Sequence, residues 1–174
     1  MKNSTNDREE FDLIVKEIAN HPTVLKMKNF RQHYDTSCYE HCQNVAYYSY
    51  LICKKLKLDY KSVARAGMLH DLFLYDWRKR EDGRKGLHAF RHPRVSLNNS
   101  LKIFDLSKKE QDIILKHMWP LTVVPSRYIE SYVVSTIDKY CALKESGSHY
   151  IKIIKTKKLF RYSYILLSLL FFKN

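Results

Sequence analysis

The spacing of hydrophobic residues along the chain predicts six amphipathic helices joined by polar connections. The first helix begins near the pair Asn6 and Glu9, which fits a capping box, and the dipeptide His21-Pro22 should end it. Its buried face is predicted from four apolar residues at helical spacing, namely Phe11, Ile14, Val15 and Ile18.

Two further capping boxes place the second and fifth helices. Ser37 with Glu40 opens a long helix that runs to about Leu56. Ser107 with Glu110 opens another, which the dipeptide Trp119-Pro120 should stop. The buried stripes are predicted to be Val45, Tyr48 and Ile52 in one helix, and Ile113, Ile114 and His117 in the other.

The remaining three helices are predicted from periodicity alone. One runs from about Ser62 to Leu74, and one starts at His92-Pro93 with the proline in the first helical position. The last spans about residues 127–145, with an inward face of Tyr132, Val133, Thr136, Ile137 and Tyr140. Residues 76–91 show no sustained apolar period and are predicted to form a basic loop. With no strand pattern, the fold class is all-α, a single helical bundle.

Composition agrees with this class. A chain of 174 residues fits one domain, and a hydrophobic fraction of 45% with only 4 Gly and 4 Pro favours a compact, mainly helical protein. The net charge of +13 should raise the local concentration of anions, whether phosphorylated metabolites, nucleic acid or acidic lipid. The charge does not choose among these partners, and lysines that merely solvate the surface are an alternative.

The four cysteines, Cys38, Cys42, Cys53 and Cys141, form no C-x-x-C pair, and the N-terminus does not resemble a signal peptide. Both features predict free thiols in a reducing cytoplasm. Cys38 and Cys42 flank His41, but a small zinc site there lacks a second pair of ligands nearby.

Six residues that commonly bind metals are spread over separate predicted helices: His41, His70, Asp71, His92, His117 and Asp138. Helical bundles house metals by delivering one or two ligands from each helix to a common centre. Four imidazoles and two carboxylates suit Mn, Fe, Co, Ni or Zn better than Ca²⁺. Six ligands are too many for one ion with an open position, so we expect two ions bridged by the Asp71 carboxylate. Such a pair lowers the pKa of a shared water, and the resulting hydroxide can attack phosphorus.

The order of His41, the doublet His70-Asp71, and Asp138 resembles the H…HD…D signature of the HD-domain metal-dependent phosphohydrolase superfamily. His92 and His117 resemble the two extra histidines of its two-metal members, and the chain is similar to a small stand-alone bacterial HD hydrolase. The resemblance covers about residues 30–145 and implies an HD-domain-like helical bundle. It makes residues 1–29 an N-terminal helical extension and residues 146–174 a basic, then apolar, tail.

The resemblance implies roles for these residues. Asp71 and His70 are the catalytic pair, with Asp71 bridging the ions. His41, His70 and Asp138 complete the shell of the first ion, and His92 and His117 hold the second. The chain lacks a Gly-Tyr-Pro motif, a lysine soon after the doublet, and the Glu-Asp pair of guanosine-tetraphosphate hydrolases. The resemblance therefore does not point to the cyclic-dinucleotide branch, which carries the Gly-Tyr-Pro motif, or to the guanosine-tetraphosphate hydrolases. It leaves the substrate undetermined.

Basic residues near the predicted ligands are candidates for binding substrate phosphate, namely Arg78, Arg91, Lys116 and Lys139, with Arg127 as a further one. Ordinary exposed basic residues are the alternative for each. Asp76 either orients a ligand histidine or caps its loop, and His33 and His88 either approach the centre or lie on the surface.

The predicted function is hydrolysis of a phosphomonoester or phosphodiester, with a nucleotide as the favoured substrate. Two alternatives stay open: a non-catalytic module that senses nucleotides or binds nucleic acid, and a structural metal protein. The apolar stretch 162–172, which follows the basic stretch 151–161, is too short to span a bilayer, since ~18 apolar residues are needed. They suit contact with an anionic membrane surface or packing on the bundle or a partner.

Overall fold

The computed structural model describes residues 2–33, 35–79 and 86–147, with side chains from residue 5 onward. This part of the chain contains seven helices and one short hairpin, so the predicted all-α class is confirmed. The helices are α1 (Lys2–Asn20), α2 (Pro22–Leu25), α3 (Cys38–Lys55), α4 (Tyr60–Leu69), α5 (His88–Leu101), α6 (Lys108–Lys116) and α7 (residues 129–147). A 3-10 turn (Lys26–Asn29) follows α2.

Helix α4 lies at the centre of the bundle. It packs against α3 most extensively and also contacts α1, α5 and α6. The buried residues Phe11, Val15 and Ile18 of α1 belong to the same core as Val45 and Val63 of the central pair. The N-terminal helix therefore packs on the bundle, and it ends at Asn20 as the His21-Pro22 dipeptide predicts. It begins at Lys2, however, so Asn6 lies inside the helix and does not cap it.

Both serine capping boxes are present as predicted. The Ser37 hydroxyl accepts from the backbone N–H of Glu40, and the Ser37 N–H donates to the Glu40 carboxylate at 2.9 Å. Ser107 and Glu110 make the same reciprocal pair at the start of α6. These boxes satisfy backbone donors that the first helical turn leaves without partners.

Helix α4 is shorter than predicted at its C-terminal end. It begins at Tyr60 instead of about Ser62, with Asp59 as its cap, and it ends at Leu69 instead of Leu74. The following backbone turns, with the N–H of Leu72 donating to the Leu69 carbonyl. The doublet His70-Asp71 consequently lies in this turn and not within the helix.

Helix α5 begins four residues earlier than predicted. It starts at His88, so Pro93 lies inside the helix rather than in its first position. The first turn shows no apolar period because several of its side chains, including His88, Ala89 and His92, line a cavity instead of packing in the core. The prediction of a loop through residue 91 was therefore wrong over residues 88–91.

A small antiparallel hairpin pairs Arg31–His33 (β1) with Thr36–Ser37 (β2), where no strand was predicted. Strands of two and three residues are too short to produce a detectable alternation of polar and apolar residues. The hairpin leads directly into α3, because Ser37 is both its last residue and the cap of that helix.

The inward face of α7 differs from the predicted one. Val133 and Ile137 pack against the core as predicted, but Thr136 and Tyr140 are exposed. The buried positions of this helix are Glu130, Ser131, Val134, Ser135, Asp138 and Cys141. Polar residues face inward because they have partners there: Ser131 donates to Asp112 at 2.8 Å, and Ser135 donates to the Trp119 carbonyl at 2.8 Å. Apolar periodicity could not reveal a face that is buried through hydrogen bonds.

None of the helices in the described ranges combines the length and apolar character needed to cross a bilayer. The tail predicted for residues 146–174 lies outside the described residues from residue 148 onward.

Gly67 allows α3 and α4 to approach closely, since an added Cβ would lie 2.7 Å from Ala46 Cα and 3.0 Å from Ala46 Cβ. We expect Gly67→Ala to lower the free energy of unfolding by about 1–2 kcal/mol, because overpacking outweighs the gain in helix propensity of roughly 1 kcal/mol. Chemical denaturation measures this change. Gly147→Ala is the matched control, since nothing lies within 4 Å of its added Cβ. Equal stability of the two variants would contradict the prediction.

Candidate metal centre

The turn after α4 fixes the orientation of the His-Asp doublet. His70 Nδ1 lies 2.8 Å from the Gly67 carbonyl and donates to it, which leaves Nε2 facing the interior. The backbone carbonyl of Asp71 accepts a hydrogen bond from Cys38 Sγ at 3.2 Å. Both side chains of the doublet are buried. A short turn anchored on both sides thus presents an imidazole nitrogen and a carboxylate to the same space.

A first group of donor atoms surrounds one oxygen of Asp71. His70 Nε2 lies 3.7 Å from Asp71 Oδ2 and 3.6 Å from Asp138 Oδ1. His41, in the first turn of α3, places Nε2 3.0 Å from Asp138 Oδ1. Two helices and the turn after α4 therefore bring two imidazoles and two carboxylates together.

A second group surrounds the other oxygen of Asp71. His92 Nε2 lies 3.2 Å and His117 Nε2 3.6 Å from Asp71 Oδ1, and the two Nε2 atoms are 2.8 Å apart. Each ring is held through its other nitrogen, which donates to the His88 carbonyl for His92 and to the Ile114 carbonyl for His117. All six predicted ligands thus lie in one buried cluster, with Asp71 between its two halves.

The two carboxylates are held in the charged form. Burial alone would raise the pKa of Asp71, but the charges of His70 and His92 keep it below its ordinary value. Burial would also raise the pKa of Asp138, but the hydrogen bond from His41 and the nearby charge of His70 keep it well below the usual range. The cluster therefore offers two carboxylates with formal negative charge.

The histidines respond differently to the same environment. Burial would lower the pKa of His41, but hydrogen bonds to Asp138 and Glu145 raise it well above the usual value. Burial lowers the pKa of His117 to about 3, and the charges of His70 and His92 act in the same direction. His117 is thus neutral at pH 7 and could donate a lone pair to a cation, whereas a cation binding His41 would have to displace its proton.

The donor set fits a pair of divalent transition-metal ions. His70 Nε2 and Asp71 Oδ1 are buried and have no hydrogen-bond partner among the described residues. Buried polar atoms without partners are costly and usually have a reason. Three overlapping groups of these six residues place one donor atom each within 4.8 Å of one another. Mixed imidazole and carboxylate donors suit Mn, Fe, Co, Ni or Zn.

Two residues that the sequence analysis did not identify, Glu145 and Gln32, make hydrogen bonds to members of the donor cluster. The Glu145 carboxylate lies 2.9 Å from His41 Nδ1, and the Gln32 amide donates to Asp71 Oδ2. Glu145 follows Asp138 by seven residues, which is two helical turns on the same face, so helical spacing could have identified it. Gln32 lies in the hairpin and carries no comparable signal.

A cavity of about 640 Å³ opens from the cluster, and Asp71, His92, His117 and Asp138 form part of its wall. Arg78, Arg91 and Lys139 also line it, as expected of residues predicted to bind phosphate. Lys139 is half-buried, and its Nζ donates to Ser135 Oγ at 2.9 Å and to the His117 carbonyl at 3.2 Å. Burial lowers the pKa of this lysine.

Lys116 does not line this cavity. Its Nζ lies 2.8 Å from Asp112 Oδ1 and donates to the Pro125 carbonyl at 3.0 Å, on the wall of a separate groove. The same carboxylate accepts from the backbone N–H of Arg127 at 3.1 Å, and the Arg127 side chain is exposed. The position of Lys116 therefore does not support its predicted contact with substrate.

Both peripheral histidines reach the cavity, and Asp76 caps its turn. His33 lies 5.2 Å from His41 between ring centroids, and His88 stacks on His92 at 4.5 Å. Trp77 stacks on the other side of His88, with centroids 5.4 Å apart. Asp76 accepts from the backbone N–H of Arg78 at 3.1 Å and from its guanidinium at 3.0 Å.

The cysteines are buried free thiols. Burial raises the pKa of Cys38 and Cys42, so these thiols are protonated at neutral pH. They pack beside the doublet and contribute to its surroundings, while the six histidine and aspartate residues form the donor cluster.

Comparisons with known proteins do not place the chain in a family: no protein-family model matches it, and neither curated proteins nor solved structures gave a significant match.

We expect Glu145→Gln to weaken metal binding about tenfold, because loss of an outer carboxylate partner lowers the affinity of a ligand histidine. Titration with Co²⁺ followed by visible absorbance measures the dissociation constant. Glu17→Gln, at an exposed site on α1, is the matched control. Identical dissociation constants in the two variants would show that Glu145 has no such role.

Removing one half of the cluster should change the metal stoichiometry. The double variant His92→Ala and His117→Ala should bind one equivalent of metal instead of two, because the donors around Asp71 Oδ2 remain. Elemental analysis of anaerobically purified protein gives the count. His21→Ala, which removes a histidine outside the centre, should keep two equivalents. Loss of both ions, or of neither, would argue against two separate half-sites.

Proposed function

We propose that the chain is a metal-dependent phosphohydrolase with an HD-type centre that holds two divalent ions. The observation that carries this proposal is the position of Asp71. Its Oδ2 lies 3.7 Å from the buried His70, and its Oδ1 lies 3.2 Å from His92 and 3.6 Å from His117. The order of the ligands along the chain, which resembles the HD signature, supports the same assignment. A cytoplasmic location belongs to the proposal and agrees with the buried free thiols.

The residues of the cluster fall into two sets, one for each proposed ion. His41, His70, Asp138 and Asp71 Oδ2 would hold one ion, and His92, His117 and Asp71 Oδ1 the other. When bound, such ions supply Lewis acidity that lowers the pKa of water toward about 7 and offsets charge on phosphoryl oxygens. The protein keeps the donors in place through the backbone hydrogen bonds of His70, His92 and His117.

The cavity beside the centre suits a phosphate ester. Arg78, Arg91 and Lys139 contribute cations to its wall, and guanidinium groups bind phosphate through paired hydrogen bonds. Lys139 Nζ donates to the carbonyl and Oγ of Ser135 and to the His117 carbonyl, which fixes its positive charge at the cavity wall. The stacked pair of Trp77 and His88 offers an aromatic surface for the rest of the substrate, which favours a nucleotide.

The proposal predicts hydrolysis of phosphomonoesters or phosphodiesters only with a divalent metal. A panel of nucleotides, p-nitrophenyl phosphate and bis-p-nitrophenyl phosphate, each tested with Mn²⁺, Fe²⁺ or Co²⁺, identifies the activity. Asp71→Asn should lower kcat/KM more than about 100-fold, because even outer-shell changes cost 10–100-fold at metal sites. Asp105→Asn, an exposed aspartate outside the centre, should keep the activity of the unsubstituted chain.

The same proteins separate the proposal from its main alternative. A non-catalytic module that binds nucleic acid would show no hydrolysis with any metal, and steeply salt-dependent RNA binding that Asp71→Asn leaves intact. A structural metal protein would unfold on metal removal and also lack hydrolysis. Either pattern would overturn the proposed activity.

A further inference from the structure

The connection between α6 and α7 exposes an unusual number of apolar side chains. Val123 is 88% exposed, Val124 59%, Leu121 47% and Trp119 36%. Four such residues within six positions form a contiguous apolar loop tip, whereas single exposed apolar residues are common on protein surfaces. We call residues 119–124 the apolar loop.

The rest of the protein holds the apolar loop in a defined position. The Trp119 carbonyl accepts from Ser135 Oγ at 2.8 Å, and the Trp119 ring packs edge-on against Tyr132 at 5.1 Å. The N–H of Thr122 donates to the Met118 carbonyl, and Lys116 Nζ donates to the Pro125 carbonyl. The exposure therefore belongs to an anchored surface feature.

A groove of about 670 Å³ separates the apolar loop from α5. Phe90, which is 51% exposed, and Val124 contribute apolar surface to it, and Arg91 and Arg94 add positive charge, whereas Lys116 is paired with Asp112. No acidic residue is among the described residues that line this groove. The hydroxyl oxygen of Thr122, at its edge, is buried without a hydrogen-bond partner in the described part of the chain.

We propose that the apolar loop and this groove dock the protein onto an anionic lipid bilayer. Aliphatic side chains at a loop tip can enter the acyl boundary, while nearby arginines remain at the level of the phosphate headgroups. The charge of +13 is complementary to such a surface. This inference is independent of the proposed phosphohydrolase activity.

The same observations disfavour two other occupants. A second copy of the chain would carry the same +13 charge, so its approach is opposed by electrostatic repulsion. Single-stranded nucleic acid is held through bases that stack on aromatic faces. Phe90 offers one such face in the groove, but the most exposed side chains, Val123 and Val124, are aliphatic, and the Trp119 ring is engaged with Tyr132.

Flotation of the full chain with vesicles tests the proposal. It should bind vesicles of phosphatidylcholine and phosphatidylglycerol, bind pure phosphatidylcholine at least tenfold more weakly, and lose most of its binding at high salt. The double variant Val123→Asp and Val124→Asp should weaken binding to the anionic vesicles at least tenfold, and Arg94→Glu at least threefold.

Matched controls carry the same changes elsewhere. The double variant Leu13→Asp and Leu56→Asp, at leucines that are 71% and 58% exposed, and Lys61→Glu, at an exposed position of α4, should each stay within twofold of the unsubstituted chain. Unchanged thermal unfolding verifies that the variants fold. Because residues 151–174 are present in every variant, differences between variants report on the loop and groove.

Three results would overturn the proposal. The first is no binding to anionic vesicles at low salt. The second is vesicle binding that the double aspartate variant leaves unchanged. The third is a dimer or an RNA complex that the double aspartate variant disrupts while vesicle binding persists, which would assign the surface to a different partner.

Discussion

The buried carboxylate of Asp71 is the constraint around which this bundle is arranged. A charged carboxylate removed from water is strongly destabilising unless opposite charges and hydrogen bonds surround it. In this protein those partners are imidazoles from α5, from the end of α6 and from the turn after α4, together with the amide of Gln32. Metal ions would take over the same stabilising role with greater charge.

Several features of the fold follow from the need to surround this group. Helix α4 ends at Leu69 so that the next turn can direct Asp71 inward, and the close contact between Gly67 and Ala46 brings α3 near enough for Cys38 to reach the Asp71 carbonyl. Helix α7 turns a polar face toward the bundle and thereby supplies Asp138 and Glu145.

The sequence predicts the parts of the fold that depend on local interactions. Ser37 and Ser107 cap their helices as expected, because a capping box involves residues only three positions apart. Errors arise where long-range polar contacts decide the structure, as at the first turn of α5 and the inward face of α7. The six candidate ligands could be selected by residue type and order, but Gln32 could not, since its contact depends on how the hairpin folds back onto Asp71. The positions of Lys116 and Lys139 likewise depend on tertiary contacts, which the periodicity of apolar residues cannot predict.

The most direct measurement is anomalous X-ray diffraction at the manganese edge from crystals grown with Mn²⁺. The account predicts two peaks, about 3.5–4 Å apart, one on each side of the Asp71 carboxylate. One peak would lie beside His70 and Asp138, and the other beside His92 and His117. A well-ordered structure whose anomalous peaks lie away from Asp71, or that shows none at saturating Mn²⁺, would contradict the account.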